Sequence, residues 1–262
     1  MVQTDKVKHF IYALLPPAFW LGVWQLAAFL VEQWVEGRGN ELLLPYPLTV
    51  FRSLLRLGGT SLFWTTTAAS LGRILIGMVI GTLLGALLAG LTYASRWCDR
   101  LLSPAIRVIR ATPVVSFILL VLLWTDRNLV PAIISGLMVL PLVWSNLARG
   151  LRETDRQLLE MAHAYRFSPF KTVRLIYLPS LRPYFMSAAT TAMGLSWKSG
   201  VAAEVLCLPR HAMGTQIANS KLYLEVPDLF AWTAVVVALS LMLEKLLRCA
   251  LSGWKGGPTH AH

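Results

Sequence analysis

Residues 149–182 read RGLRETDRQLLEMAHAYRFSPFKTVRLIYLPSLR, a basic and polar stretch between two apolar segments. Ser168 and Pro169 predict a turn and the start of a second short helix that ends at Pro179, because proline suits the first helical position. The pattern predicts two surface helices that could bind a soluble partner, and an ordinary amphipathic surface helix is the alternative. Over residues 152–165, apolar residues at helical spacing share one face: Leu151, Leu158, Leu159 and Ala162.

The composition places the chain in a membrane. Of 262 residues, 56% are hydrophobic and 14% are charged, whereas soluble domains carry about a quarter charged residues. The net charge of +11 is divided among loops between apolar runs and has no aromatic and basic platform, which excludes nucleic-acid binding. Cys98, Cys207 and Cys249 form no CxxC pair, so neither a disulfide framework nor a metal site is predicted.

A membrane span needs about 20 apolar residues, and the chain offers six candidates. The first is too long for the core of a cleaved signal peptide, and the third is so short that five spans, with the third merged or re-entrant, is the alternative. The predicted fold is an all-α polytopic helix bundle. It has a first span with an amphipathic linker (1–60), a core (61–250) and a disordered tail (251–262). The six candidate spans are residues 10–31, 74–91, 114–124, 129–147, 184–206 and 229–247.

The distribution of basic residues predicts the orientation. With six spans and a cytoplasmic N-terminus, cytoplasmic segments hold 16 of the 24 basic residues and outer segments hold 6. Loops that stay in the cytoplasm are enriched in Lys and Arg, so the N-terminus and the 149–182 loop are predicted to be cytoplasmic.

Small and charged residues inside the spans predict close packing and a charged site. Gly77, Gly81 and Gly85 lie four residues apart on one face of the second span, so a neighbouring helix can approach closely. Unpaired charges at the bilayer centre are costly. Arg73 and Glu204 both lie near the outer ends of their spans, and we expect them to pair, with separate snorkelling as the alternative.

Lys198 and its neighbour Trp197 are candidates for a solute path. The ammonium of Lys198 could attract an anion, or it could donate hydrogen bonds to backbone carbonyls. Asp, His and Ser do not cluster at one membrane depth, so no catalytic site is predicted.

The 149–182 loop resembles the cytoplasmic loop of ABC importer permeases, which reads Glu-Ala-Ala, three residues, Gly, nine residues, Ile-x-Leu-Pro. Here the spacing is kept, but Met161 replaces the middle alanine and Arg166 replaces the glycine. A left-handed backbone is costly for arginine, so this replacement bears on the geometry of the turn and on the fit to the partner. The resemblance implies an ATPase-coupling loop formed by Glu160, Met161, Ala162, Arg166, Ser168, Pro169, Ile176, Leu178 and Pro179.

Further stretches resemble the nitrate, sulfonate and taurine group of these permeases over roughly residues 60–250. Two departures are Ala212, in place of the first glycine of a Gly-Leu-Gly-like motif, and residues 124–127, in place of a glycine-bearing turn. The matching stretches are residues 194–206, the proline-rich approach from 102–104 to 112–113, Met213-Gly214, and Val226-Pro227-Asp228.

The resemblance implies a transmembrane subunit of the bacterial inner membrane that forms the path for a small anion by alternating access. It would form a homodimer, dock two cytosolic ABC ATPase subunits and receive solute from an extracytoplasmic binding protein. The chain has no GxxxxGK[ST] phosphate loop, so it is expected to be non-catalytic and without a cofactor, with ATP and Mg on the ATPase. The alternatives are a permease for a pyrimidine-type vitamin precursor, an integral-membrane enzyme and a non-transporting membrane scaffold.

Overall fold

A computed structural model of the chain describes residues 2–34 and 42–252, with side chains for 15–34 and 42–251. In this part of the chain the secondary structure is helical, without a strand, which confirms the predicted all-α class. The predicted disorder at 253–262 lies outside the described residues. The elements are α1 (Val2–Trp34), α2 (Pro47–Gly58), α3 (Ser61–Ala94), α4 (Arg96–Ala111), α5 (Val114–Trp124), α6 (Val130–Arg152), α7 (Arg156–Ala164), α8 (Pro169–Thr172), a π-helical turn (Val173–Tyr177), α9 (Leu178–Cys207), α10 (Met213–Leu222) and α11 (Val226–Ser252).

Four helices in the described residues are long and apolar enough to cross a membrane. The predicted third span coincides with α5, whose 11 residues extend only about 16 Å, so α5 cannot cross a hydrocarbon core of about 30 Å alone. Together, α4 and α5 could form one span bent by 108°. The four helical segments are Leu15–Trp34, Ser61–Ala94, Val130–Arg152 and Val226–Leu251.

The bend between α4 and α5 has a cause in the sequence. The N-cap Ser95 starts α4 by accepting a hydrogen bond from the Cys98 amide, which satisfies one free donor of the first turn. Thr112 has an extended backbone, as expected for a residue before proline. Pro113 then starts α5 in a new direction, because it cannot continue the preceding helix.

The chain packs as two units. The first contains Met1–Thr66 and Gln216–Val236. In it, Arg56 donates to both carboxylate oxygens of Asp228, at 2.5 and 2.6 Å, and the rings of Phe63 and Trp232 stack with centroids 5.2 Å apart. These contacts fasten the N-terminal ends of α3 and α11 within this unit.

The second unit contains Thr67–Thr215 and Val237–His262, and its core forms where α3 meets α6. A Cβ at Gly77 would lie 2.0 Å from the Ala132 carbonyl oxygen, and one at Gly81 would lie 2.3 Å from that of Gly136. A Cβ at Gly85 would lie 2.7 Å from the Leu140 carbonyl oxygen. The predicted close approach along these glycines is present, and the partner that the sequence did not identify is α6.

The direction of the helices in this unit follows from these contacts. Both members of each pair advance by four residues, so α3 and α6 run parallel, and residues 95–129 must return the chain to the side on which α3 begins. The bent pair of α4 and α5 makes this return and is the candidate for a fifth span. In contrast, α9 packs antiparallel to α6, since Ala188 clusters with Ala148 and Ala203 with Val130. Thus α9 runs back along the length of α6. Its many small and polar residues keep it less apolar than the four candidate spans.

Candidate functional site

The 149–182 loop is a capped helical structure. The side chain of Asp155 caps α7 by accepting from the Gln157 amide at 2.8 Å. Ser168 caps α8 by accepting from the Lys171 amide at 3.3 Å, and Pro169 occupies the first turn. The predicted start of a second short helix is thus confirmed. Each cap satisfies a backbone donor that the first turn leaves free, so both short helices have defined beginnings.

The turn after α7 has the left-handed backbone that suits glycine, the residue of the permease loop pattern at this position, although Arg166 occupies it. Arg166 has a φ of 52°, in the left-handed region. Its amide donates to the His163 carbonyl at 3.0 Å, and the Phe167 amide donates to the Ala162 carbonyl at 2.8 Å. These two bonds are a Schellman motif, the usual helix end with glycine at this position. The replacement by arginine therefore leaves the turn geometry unchanged, because the two hydrogen bonds hold the arginine in this conformation.

We expect Arg166→Gly to stabilise the protein by about 1 kcal/mol, since a left-handed conformation costs a non-glycine residue roughly that much. Thermal unfolding of the purified protein would show this as a rise of about 2–4 °C. The control is Tyr165→Gly, at the neighbouring position where φ is −85°, which should not stabilise. An equal rise for both variants would contradict the assignment of strain to Arg166.

The loop joins α9 through a continuous helical path instead of ending at Pro179. Residues 173–177 form a π-helical turn in which the Leu178 amide donates to the Val173 carbonyl. Pro179 lies in the first turn of α9. The predicted helix end at Pro179 is wrong, because the proline, which has no amide donor, is accommodated by the wider π turn before it.

Two polar contacts hold this path to the rest of the second unit. The hydroxyl of Tyr177 lies 3.2 Å from that of Tyr93 on α3, and burial, followed by this hydrogen bond, raises the pKa of Tyr177 to about 12. Glu153 accepts from the Tyr184 hydroxyl and from Arg149 at 2.8 Å. The hydrogen bond from Tyr184, followed by that from Arg149, lowers the pKa of the Glu153 carboxyl. The ionised carboxylate thus joins the end of α6 to α9.

The predicted loop residues divide into a packed set and an exposed set. Ala162 and Ile176 are buried, which explains why a small and an apolar residue occupy these positions. Tyr165 and Phe170 are among the most exposed apolar residues of the loop, although the sequence did not single them out. The remaining predicted residues are exposed: Glu160, Met161, Arg166, Ser168, Pro169, Leu178 and Pro179.

The structure contains the predicted ion pair between α3 and α9. Arg73 Nη1 lies 3.0 Å from Glu204 Oε1, and their side chains are 16% and 0% exposed. The other oxygen, Glu204 Oε2, accepts from Ser70 Oγ at 2.8 Å and from the Gly214 amide at 3.1 Å. Three donors, two on α3 and one at the start of α10, thus compensate the buried carboxylate, as burial of a charge requires.

The same cluster positions the connection between α9 and α10. Arg73 Nη2 donates to the Arg210 carbonyl at 3.1 Å, and the Arg210 amide donates to Asn128 Oδ1 at 2.9 Å. Leu208 and His211 have positive φ values of 51° and 48°, a strained backbone that such contacts hold in place.

The sequence did not identify Ser70 or Gly214 as partners of the carboxylate. A Cβ at Gly214 would lie 2.4 Å from the Glu204 Cβ, so the glycine of the Met213-Gly214 motif is required by contact with α9. The motif was visible in the sequence, but its target on α9 was not.

The two path candidates on α9 have different surroundings. Trp197 is 1% exposed, so it is a core residue, and its assignment to the path is wrong. Lys198 is exposed, so its ammonium is accessible at the surface of α9. Lys198 belongs to an exposed stripe on one face of α9: Ser187, Thr191, Leu195, Lys198, Ala202 and Leu206.

Comparisons with known proteins agree with this architecture. The sequence model of the family described as "Binding-protein-dependent transport system inner membrane component" matches residues 81–247. The chain is 30% identical over 250 residues to the putative aliphatic sulfonates transport permease protein SsuC of Escherichia coli, covering 94% of this chain and 89% of that protein.

Other relatives have names that refer to different solutes. The taurine transport system permease protein TauC of Escherichia coli is 24% identical over 249 residues, covering 90% of each chain. The nitrate import permease protein NrtB of Synechococcus elongatus is 26% identical over 209 residues, covering 78% of this chain and 75% of that protein.

Proposed function

Since the chain belongs to the family of binding-protein-dependent transport system inner membrane components, we propose that it forms the path for a small anion in an ATP-driven importer. A separate ATPase drives alternating access through the 149–182 loop. The observation that carries this proposal is the continuous helical path from the capped loop through the π turn into α9, the helix that presents Lys198. Movement of the loop would thus reach the helix that faces the solute.

The orientation of the loop is supported by charge. The parallel packing of α3 and α6 places the end of α3, the end of α6 and the start of α9 on one side, and Arg152 Nη2 lies 3.8 Å from Asp99 Oδ1. The basic residues at these ends are those expected in the cytoplasm. We assign this side, and with it the N-terminus, to the cytoplasm.

The partners follow from the proposed role. Two copies of this chain would form the path, each docking one cytosolic ATPase that carries ATP and Mg, and an extracytoplasmic binding protein would deliver the solute. The chain itself would need no cofactor. Tyr165 and Phe170 are each 74% exposed and give the loop apolar surface of the kind that marks a protein interface. The ATPase is its proposed occupant.

The solute class is inferred from the relatives and from Lys198. Proteins similar to this chain are named for aliphatic sulfonates, taurine, nitrate and bicarbonate, which share an anionic group. An exposed ammonium on an otherwise weakly charged membrane helix suits such solutes. We therefore propose that Lys198 lines the path and attracts the anion.

The docking surface can be tested with Phe170→Asp. Phe170 is 74% exposed, so the substitution should leave the fold intact, but a charge in an apolar contact should weaken ATPase binding at least tenfold, or about 1.4 kcal/mol. The measurement is co-purification of the co-expressed ATPase with the permease. Leu222→Asp is the matched control, at a side chain 73% exposed outside the loop. Equal retention of the ATPase by both variants would argue against docking at this loop.

A further inference from the structure

A second charged residue on a membrane helix approaches α9 on the side of Lys198. Glu244 lies in the apolar segment Val226–Leu251 of α11, where a carboxylate is costly unless it has a partner or faces water. Its carboxylate is 3.8 Å from Arg248 on the same helix, and the two side chains are 37% and 71% exposed. Exposed pairs of this kind contribute little, so Arg248 alone does not explain a carboxylate at this position.

The carboxylate of Glu244 lies against a gap in the surface of α9. A Cβ at Gly194 would lie 3.1 Å from Glu244 Oε1, which is closer than ordinary packing. The glycine thus leaves room for the carboxylate beside the backbone of α9, and both residues belong to the second unit.

Lys198 follows Gly194 by one helical turn. Residues four apart share a face of a helix, and side chains point toward its N-terminus, so a residue covers the surface one turn before its own position. The flexible side chain of Lys198 is therefore long enough to reach over Gly194, where the carboxylate lies. Among the described residues the carboxylate of Glu244 is paired with Arg248 and not with Lys198, so the lysine must adopt another rotamer to reach it.

We propose that Glu244 is the counter-ion of Lys198 in the empty path and that the imported anion displaces it. The proposal rests on the proposed function, because it requires Lys198 to meet an anion. Glu244 would then act as a positioning and specificity residue: a solute must compete with a carboxylate, so weakly interacting anions are rejected. Gly194 keeps this surface of α9 open, because an added Cβ would lie 3.1 Å from the carboxylate oxygen and would push it away.

The pair is tested by a double-variant cycle on the purified full-length chain, with thermal unfolding as the measurement. We expect Lys198→Met and Glu244→Gln each to lower the unfolding temperature by about 2–4 °C, and the double variant to lose no more than the larger single loss. The charge-swapped variant Lys198→Glu/Glu244→Lys should regain most of the loss. Additive losses and no recovery on swapping would overturn the pair.

Arg248→Met is the matched control, because Arg248 is the cation that Glu244 meets in the structure. The fall in unfolding temperature caused by Arg248→Met should add to the fall caused by Glu244→Gln, as the effects of independent sites do. If instead Arg248 and Glu244 are coupled while Lys198 and Glu244 are not, the carboxylate serves its own helix and the proposal is wrong.

Competition is tested separately by binding of taurine, nitrate and bicarbonate, each as the sodium salt with chloride as the reference. Glu244→Gln should tighten binding of the accepted anion at least about threefold, since the competing state is removed, and Lys198→Met should abolish it. Unchanged affinity in Glu244→Gln would overturn the competition. If none of the three anions binds the wild type or Glu244→Gln, the anion assignment fails, whereas the unfolding cycle still decides whether the two charges pair.

Discussion

Replacing Glu204 by Gln should lower the stability of the protein by about 3 kcal/mol, the cost of removing one partner of a buried ion pair. The substitution keeps the shape of the side chain but leaves Arg73, which is only 16% exposed, without a counter-charge. It also weakens two further bonds, because the Ser70 hydroxyl and the Gly214 amide both donate to the same carboxylate oxygen.

Thermal unfolding of the purified protein should show a fall of about 6–12 °C for Glu204→Gln, at about 2–4 °C per kcal/mol. The matched control is Glu225→Gln, because Glu225 is exposed and its replacement should change the unfolding temperature by less than about 2 °C. A similar small change for both variants would contradict the assignment of Glu204 to the joint between α3, α9 and the start of α10.

Replacing Gly81 by Ala should cost about 3 kcal/mol, at the upper end of the range for overpacked positions. The added Cβ would lie 2.3 Å from the Gly136 carbonyl oxygen, and a backbone atom cannot move aside as the end of a flexible side chain can. The helices α3 and α6 would have to separate, which would also loosen the contacts at Gly77 and Gly85.

Gly90→Ala is the internal control for this prediction. Gly90 lies on the same helix, but a Cβ there meets nothing within 4 Å, and alanine is a better helix former than glycine by about 1 kcal/mol. Unfolding should therefore move to lower temperature for Gly81→Ala and stay level or rise for Gly90→Ala. A fall of similar size for both would show that helix propensity, and not the close approach, decides the effect.

Several features could be predicted from the sequence because each had a local cause. The family and the all-α fold follow from motif spacing and apolar length, and both are confirmed. Arg73 and Glu204 could be paired because two opposite charges near one membrane surface each need a partner. The start of α8 was predictable because Ser168 and Pro169 act within their own turn.

The features that were missed depend on contacts between distant segments. Nothing next to Trp197 in the sequence indicates that neighbouring helices bury it. The continuation of the helix through Pro179 depends on a π turn, which proline alone does not reveal. Arg166 takes a glycine conformation because two backbone hydrogen bonds require it, whereas its own propensity favours another. Likewise, the length of α5 alone does not reveal that it forms a bent pair with α4.

The register of α3 against α6 also limits how this protein can move. Backbone meets backbone at three successive turns. A screw movement of α3 by one residue, a rise of about 1.5 Å with a rotation of about 100°, would bring the full side chain of Met78 to the position that only Gly77 can occupy. The two helices are therefore locked against translation and must travel together as one rigid body. Any rearrangement that opens or closes this unit has to occur at other joints.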